Sequence, residues 1–415
     1  MPPDAAPPPA DFDALVVGGA MVGATLCALL ANAGMRVALI EAQPAPLTLE
    51  TLDSARVAPR VSALSPVSAR LLTRLNAWQA MARTRVTPYR FMHVWDAEGS
   101  GDIAFSADEA GVANLGHIVE NNVTLAALNE QIMDHPNVTP LYGARVDALQ
   151  TSSSGRWLTL DDGRRFGAPL VVAADGARSA LRDMADIGVV EDDMHQHAVV
   201  TTVRCERRHG ATARQAFVDG QPLAFLPVTV NGDERYCSIV WSVTPLRAKA
   251  LEAMSAGALG EALGKALDYR LGAVEVRDKA YAFPLVQRHA QRYVAPHFAL
   301  IGDAAHSVHP LAGQGVNLGL MDAAVLAEEV IAAFKRGAPW GDARLLRRYE
   351  RRRRADNASM LALMKGFKTL FSTRHPGVLL ARNVGMSGLH RLVPVKRAIM
   401  RQATGERGRL PESCR

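Results

Sequence analysis

Short apolar runs separated by helix-length segments set the pattern of the first 185 residues. DALVVGG (13–19) is a β-rich run ending in glycines, MVGATLCALLANAG (21–34) reads as a helix closed by Gly34, and MRVALIEAQP (35–44) reads as a second buried strand. Together they predict a βαβ unit of about thirty residues. Further on, RVSALSPVSARLLTRLNAW (60–78) predicts a helix, RFMHVWDAEGSGDIAF (90–105) two strands around a glycine-rich turn, and VTLAALNEQIMDH (123–135) another helix. RWLTLDDGRRF (156–166) has the form of a hairpin, with Asp162-Gly163 suited to a tight turn. PLVVAADGARSALR (169–182) reads as a strand, a turn and the start of a helix.

The pattern changes over 195–245, where HAVVTTVRC, RQAFV, LAFLPV and YCSIVWSV are spaced like antiparallel strands. LRAKALEAMSAGALGEALGKAL (246–267) is a helical insertion. At RYVAPHFALIGD (292–303) the buried-strand pattern returns, MDAAVLAEEVIAAF (321–334) follows as a helix, and 342–371 reads as continuously helical with basic and apolar positions interleaved. A nucleotide-binding fold interrupted by an antiparallel sheet domain is therefore expected. There is no internal repeat.

At 415 residues the chain is long enough for two domains, and a composition 48% hydrophobic and 21% charged is that of an ordinary globular protein. No run approaches eighteen uncharged apolar residues, so a membrane span is not expected. The opening MPPDAAPPPA lacks the basic and apolar regions of a signal peptide and reads as a floppy tail. Cys27, Cys205, Cys237 and Cys414 form no paired ligand or redox pattern, so reduced thiols in the cytoplasm are expected. The net charge of +6 is uneven: from residue 331 onward 20 Lys and Arg stand against 5 Asp and Glu, leaving an acidic body with a basic tail. Such a tail is either a solvated helical face or a surface drawn to an anionic membrane or an acidic partner.

Three segments carry the candidate chemistry. In Gly18-Gly19-Ala20-Met21-Val22-Gly23, Gly18 permits the tight strand-to-helix turn and Gly23 lets the helix pack closely on the sheet. Free N–H groups at the helix start favour a pyrophosphate. Ala20 stands where the G-x-G-x-x-G pattern has its middle glycine, and its methyl narrows the phosphate's approach. Glu41, eighteen residues past Gly23 at the end of the second strand, is placed to accept hydrogen bonds from a ribose diol. In the second segment, Asp175-Gly176-Ala177-Arg178-Ser179, the residues alone read as a capped helix start, with Asp175 satisfying backbone donors. The third is GDAAHSVHPLAGQGVNLG (302–319). Asp303 at a strand end suits a second sugar or polyol hydroxyl, and Gly313-Gln314-Gly315 presents backbone N–H groups to developing negative charge at a helix N-terminus. Pro310 rigidifies the approach. His306 and His309 have the spacing of a metal pair, but no third ligand accompanies them and no metal is expected.

These three segments, in this order, resemble the class A flavoprotein aromatic hydroxylases, the para-hydroxybenzoate hydroxylase-like group, and more closely the ubiquinone-biosynthesis hydroxylase family. RVSALSPVSARLL, LGHIVENNVTLAAL, ADGARSALR, HAVVTTVRCER, FPLVQRHAQRYVAPHFALIGDAAHSVHPLAGQGVNLGLMDAAVLAEEV and YERRRRADN carry the resemblance, which runs from about residue 12 to 372. It implies an α/β fold: a Rossmann-like FAD-binding domain (11–185 and 285–355) interleaved with an antiparallel β-sheet substrate domain (186–284), plus C-terminal helices. Residues about 79–110 would contribute to the substrate domain, 1–10 would be a disordered tail, and 356–415 a basic helical region. It further implies FAD held by Gly18, Gly23, Glu41 and Arg60, with Asp303 on the ribityl side. Pro310, Gly313, Gln314, Gly315 and Asn317 would lie beside the flavin ring. Asp175 and Arg178 match the family's Asp-Gly motif, associated with FAD and NAD(P)H, while Asn122 stands where the family has arginine after Glu-Asn.

The activity implied is hydroxylation of the aromatic ring of a polyprenyl phenol by O2, through a flavin C4a-hydroperoxide, with NAD(P)H or a separate reductase as electron source. No catalytic side chain is singled out, because an electron-rich phenol is already activated and the cofactor carries the hard chemistry. The antiparallel sheet around Phe217, Phe225, Tyr236 and Trp241 is expected to cover the substrate, with core packing the alternative for each. Two other functions share the fold: a flavin-dependent reductase of polyprenyl double bonds, and a non-catalytic FAD-binding scaffold in a quinone-synthesis complex. Polyprenyl phenols reside in the bilayer, so the expected setting is cytoplasmic and peripheral on the inner face of the membrane. MLALMKGFKTLF (360–371) would lie in that interface or in the seam of a homo-oligomer. No nucleic-acid partner is expected.

Overall fold

Ala14–Val17 is buried at every position and pairs in parallel with Val37–Glu41 on one side and Val171–Ala173 on the other. Strands shielded on both faces read as uninterrupted apolar runs, which is why this sheet was legible. Its full order is Val294–Ala295, Phe298–Leu300, Val171–Ala173, Ala14–Val17, Val37–Glu41 and Val138–Tyr142, antiparallel only at the first pair. Helix Met21–Asn32 packs against it and against helices Asn121–Ile132 and Gly315–Phe334. The computed structural model describes residues 10–307, 315–372, 400–401, 404–406 and 408–415.

A nine-stranded sheet forms the second layer. Its order is His306–Ser307, Tyr281–Ala290, Val189–Cys205, Asp233–Val243, Gln221–Val230, Thr212–Val218, Phe91–Asp96 and Asp102–Ser106, with Val274–Val276 also paired to Val189–Cys205. Alternation along each strand divides its residues between two faces. One face, with Phe225, Ile239 and Trp241, is buried together with Leu251, Leu259 and Leu263 of helices Pro245–Glu252 and Ala256–Ala266. The other, with Ala213, Ala224, Leu226 and Val228, packs on Val57, Ala63, Tyr89 and Ile118. The face turned away from those two helices thus meets the small sheet of Val61–Leu64, Gly116–Glu120 and Thr87–Tyr89. Through it that face is turned to the nucleotide-binding layer, whose Gly315–Phe334 helix contacts Val61–Leu64.

Two readings differ from the sequence expectation. Residues 60–78 do not form one helix: Val61–Leu64 is a strand paired with Gly116–Glu120, and the helix spans Pro66–Arg74. Ser65 accepts from the Ser68 N–H and Pro66 occupies the first helical turn, a start signal inside the apolar run. The expected helical insertion after 245 is present as two helices, with Ser255 capping the second. The nine-stranded sheet continues past residue 284, because Val189–Cys205 pairs with Tyr281–Ala290 from Val189↔Ala290 to Val200↔Tyr281. The basic helix spans Ala343–Ser372, and no described helix is long and apolar enough to cross a membrane. Cys414 is buried, and its carbonyl accepts from Arg70 Nε at 2.9 Å, docking the chain's end on the Pro66–Arg74 helix.

Candidate functional site

Gly18 marks the turn from the first strand into the first helix, with φ of +101°, a conformation open to glycine. A Cβ there would overlap the Ala174 carbonyl oxygen, and a Cβ on Gly23 would overlap that of Gly18. Bare backbone at these two positions is what brings the first turn against the Asp175 turn. The helix begins after Ala20 with no side-chain cap, so its first-turn donors are offered to a ligand. Glu41 lies beside this turn: Oε2 accepts from the Gly19 N–H at 2.6 Å and Oε1 from the Gln43 N–H at 2.7 Å. Both oxygens keep acceptor capacity for a diol.

Asp175 Oδ2 accepts from the Leu181 N–H at 3.2 Å, while Oδ1 is buried without a hydrogen-bond partner. Burial raises this carboxyl, opposed by the Ser179 hydroxyl and neighbouring backbone donors. An orphaned buried acceptor is costly and marks where a ligand's donor fits. Arg178 is exposed. The cation that organises the loop is Arg182, which the sequence reading missed. Only 4% exposed, it donates through Nη1 to the Ala177 and Ala304 carbonyls, both at 3.2 Å, and so ties the second turn to the third.

Asp303 sits in the single 3₁₀ turn Gly302–Ala304 directly after Phe298–Leu300. The residue is exposed to solvent, yet protein is crowded around its carboxylate. That desolvation raises its carboxyl, while His306, Arg60 and Arg288 pull it down. Val22 packs beneath: a Cβ on Gly302 would lie 3.2 Å from it, and one on Gly319 only 2.6 Å. The first and third turns are therefore in contact as well. Gly315 opens the Gly315–Phe334 helix, and a Cβ there would meet empty space. Pro310, Gly313, Gln314 and His309 lie outside the described residues. Asn317 is committed to protein: Oδ1 accepts from the Ser65 N–H (2.9 Å) and Ser68 Oγ (2.7 Å), and Nδ2 donates to the Ala63 carbonyl (2.8 Å).

Arg60 is exposed, its guanidinium 5.8 Å from the Phe283 ring on the facing sheet. The loop that carries it is anchored from below by a buried ion pair. Arg85 Nε lies 2.8 Å from Glu120 Oε1, Glu120 Oε2 accepts from the Ala58 N–H, and Arg85 Nη2 donates to the Asp53 carbonyl at 3.1 Å. Burial raises the Glu120 carboxyl, with the Ala58 N–H and Arg85 opposing. Asn122 is exposed in the first turn of the helix that follows.

The four aromatics expected over the substrate do not share a face. Phe225 and Trp241 are buried with the Pro245–Glu252 and Ala256–Ala266 helices, and Phe217 packs on Ile103 at the sheet's outer end. Tyr236 is on the face turned to the nucleotide-binding layer. His306 directs Nε2 to Asp322, at 2.5 Å.

Three turns from distant parts of the chain thus meet around an uncapped helix start, an orphaned carboxylate oxygen and a second, solvent-exposed carboxylate. This is the site of a flavoprotein, and its donors and acceptors fit FAD. The chain belongs to the FAD binding domain family, whose pattern matches residues 11–363. It is 38% identical to the 3-demethoxyubiquinol 3-hydroxylase of Escherichia coli (strain K12), over 94% of this chain and 97% of that protein. It is 33% identical to the mitochondrial ubiquinone biosynthesis monooxygenase COQ6 of Homo sapiens, over 94% and 92%. Among solved structures, the probable FAD-dependent monooxygenase pqsL of Pseudomonas aeruginosa superposes with a TM-score of 0.76 at 22% identity, covering 91% of this chain and 99% of that one. The p-nitrophenol 4-monooxygenase PnpA of Pseudomonas putida DLL-E4 gives 0.75 at 21% identity, covering 95% and 99%. The two solved structures share the fold.

Proposed function

We infer that this protein is an FAD-dependent monooxygenase that hydroxylates the aromatic ring of a ubiquinone precursor. The observation that carries the reading is the meeting of the Gly18, Asp175 and Asp303 turns in a chain whose relatives are ubiquinone hydroxylases over nearly their whole length. Bound FAD supplies the electrons and activates O2, with NAD(P)H as the donor. The chain's own part is to bind, orient and enclose. The first-turn N–H groups after Ala20 take the pyrophosphate and Glu41 takes the ribose. Asp303 takes the ribityl hydroxyls, and Asp175, with its free oxygen, holds a further donor of the nucleotide. The helix opening at Gly315 offers backbone N–H groups to negative charge on the ring system. The sheet face bearing Tyr236 closes the site against water, strengthening each of these contacts.

The test is incorporation of labelled O2 by the FAD-loaded protein supplied with NAD(P)H and an aromatic ubiquinone precursor. One labelled oxygen atom on the ring is expected. Product reduced at a prenyl double bond without label would establish the reductase instead, and a yellow protein that leaves NAD(P)H untouched would establish a scaffold.

We place this work at an anionic membrane surface, on the strength of the basic carboxy-terminal region. The apolar stretch at 360–371 is only partly free for that role: Met360 and Leu361 are buried and Lys365 pairs with Asp192 at 2.8 Å, while Leu363 faces outward at 40% exposure. Flotation with phosphatidylglycerol-containing vesicles at low salt is expected, with loss at high salt. Equal behaviour with neutral vesicles would overturn it.

A further inference from the structure

Asp322 is fully buried on the Gly315–Phe334 helix, and donors from two other parts of the chain converge on it. Its Oδ2 accepts from the Gly302 N–H at 3.1 Å and lies 2.5 Å from His306 Nε2. Its Oδ1 accepts from Arg353 Nε at 2.7 Å and Asn357 Nδ2 at 3.2 Å. Burial alone would raise this carboxyl, but attraction to His306 and Arg353 outweighs it and holds the group at about 2. Arg353 also donates to the Leu318 carbonyl (3.3 Å) and Asn357 Oδ1 (2.9 Å), so the pair is hydrogen-bonded on all sides. Asn357 reaches the Tyr293 hydroxyl at 3.3 Å, which lies 3.0 Å from His289 Nε2 in the nine-stranded sheet.

Gly302 and His306 stand on either side of Asp303. A carboxylate bonded to both flanks determines where the intervening turn sits, and Gly302, at φ of +59°, relies on that acceptor for its buried N–H. We propose that Asp322 is the positioning residue of the cofactor turn, holding both flanks of Asp303, and that Arg353 and Asn357 make the long basic helix part of the cofactor site. The inference rests on Asp303 contacting the ribityl chain. Asp322 itself touches only protein.

Two variants separate positioning from plain stability. Asp322→Asn keeps the shape and one acceptor oxygen but leaves the buried Arg353 with only the partly exposed Asp356, at 3.1 Å, as a counter-charge. Asp322→Asn/Arg353→Met removes both charges, and such replacement of a buried pair is commonly neutral for folding. FAD affinity, the reduction potential of the flavin at saturating FAD, and the thermal melt of the cofactor-free chain are measured on each. FAD binding is expected to weaken at least tenfold in the single variant. The double variant is expected to melt like the parent, yet still to bind FAD at least tenfold more weakly and to show a shifted potential. Recovery of affinity together with the melt, or parental affinity and potential in the double variant, overturns the proposal, and the double variant decides alone if the single one does not fold. Asp303→Ala supplies the reference. If it leaves FAD affinity unchanged, the ribityl assignment falls and this inference with it; if only Asp303→Ala weakens binding, this inference alone falls.

Discussion

Gly18→Ala will give a folded protein that does not retain its flavin. The alanine must adopt φ of +101° and place its Cβ against the Ala174 carbonyl. Neither partner can yield easily: the Gly18 N–H is bonded to the Ile40 carbonyl at 2.8 Å, and the Ala174 N–H to the Val17 carbonyl at 2.7 Å. Backbone strain and overpacking cost about 1–3 kcal/mol each, and relief comes from parting the two turns that form the nucleotide site. Loss of affinity of roughly a hundredfold, about 2.7 kcal/mol, follows if the turn moves by even part of the overlap. Gly34→Ala is the control. Gly34 has a comparable φ of +91°, but a Cβ there meets nothing within 4 Å. It should lower the melting temperature through strain while leaving the FAD titration parental. Stoichiometric flavin in purified Gly18→Ala would refute the account of the first turn.

Arg85→Met is the second large effect, this time on stability. Arg85 and Glu120 are 9% and 5% exposed, so removing the cation leaves a carboxylate buried with the Ala58 N–H as its remaining donor. Breaking a buried pair from one side costs about 3–5 kcal/mol, which equilibrium unfolding of the cofactor-free chain should report. The deficit will depend on pH. Burial raises the Glu120 carboxyl, so the folded state holds that proton more tightly than the unfolded state does. Stability therefore falls as pH rises through the raised carboxylate range, and the variant's deficit is smallest in acid. Arg85→Met/Glu120→Gln should recover most of the loss, because a neutral amide oxygen still accepts from Ala58. A deficit below about 1 kcal/mol at neutral pH would show the pair to be solvated or replaceable.

Both variants expose the limits of local pattern. The Gly18 turn was legible because its glycines, the buried runs on either side and Glu41 lie within about thirty residues. Glu120 and Arg85 carried no such signal: they stand thirty-five positions apart, and nothing local pairs them. Arg182 was passed over for Arg178 four residues earlier: Arg178 precedes the Ser179 cap and stays in water, whereas Arg182 is buried within the Ala180–Met184 helix. Val61–Leu64 was read as the start of a helix because four apolar-rich residues fit either period. Pairing with Gly116–Glu120 decided the matter.

Local sequence determined the parallel strands, the strand-to-helix glycine turn, the acidic residues at strand ends and the long basic helix, because each depends on neighbours within a few turns of chain. Tertiary structure alone decided which aromatics face the nucleotide-binding layer. Alternation separates Trp241 from Tyr236 on any strand, but only the docking of the two helices after Thr244 determines which side is covered. It also assembled Asp322, His306 and Arg353, since charges from three segments become one buried network only when packing removes the water between them.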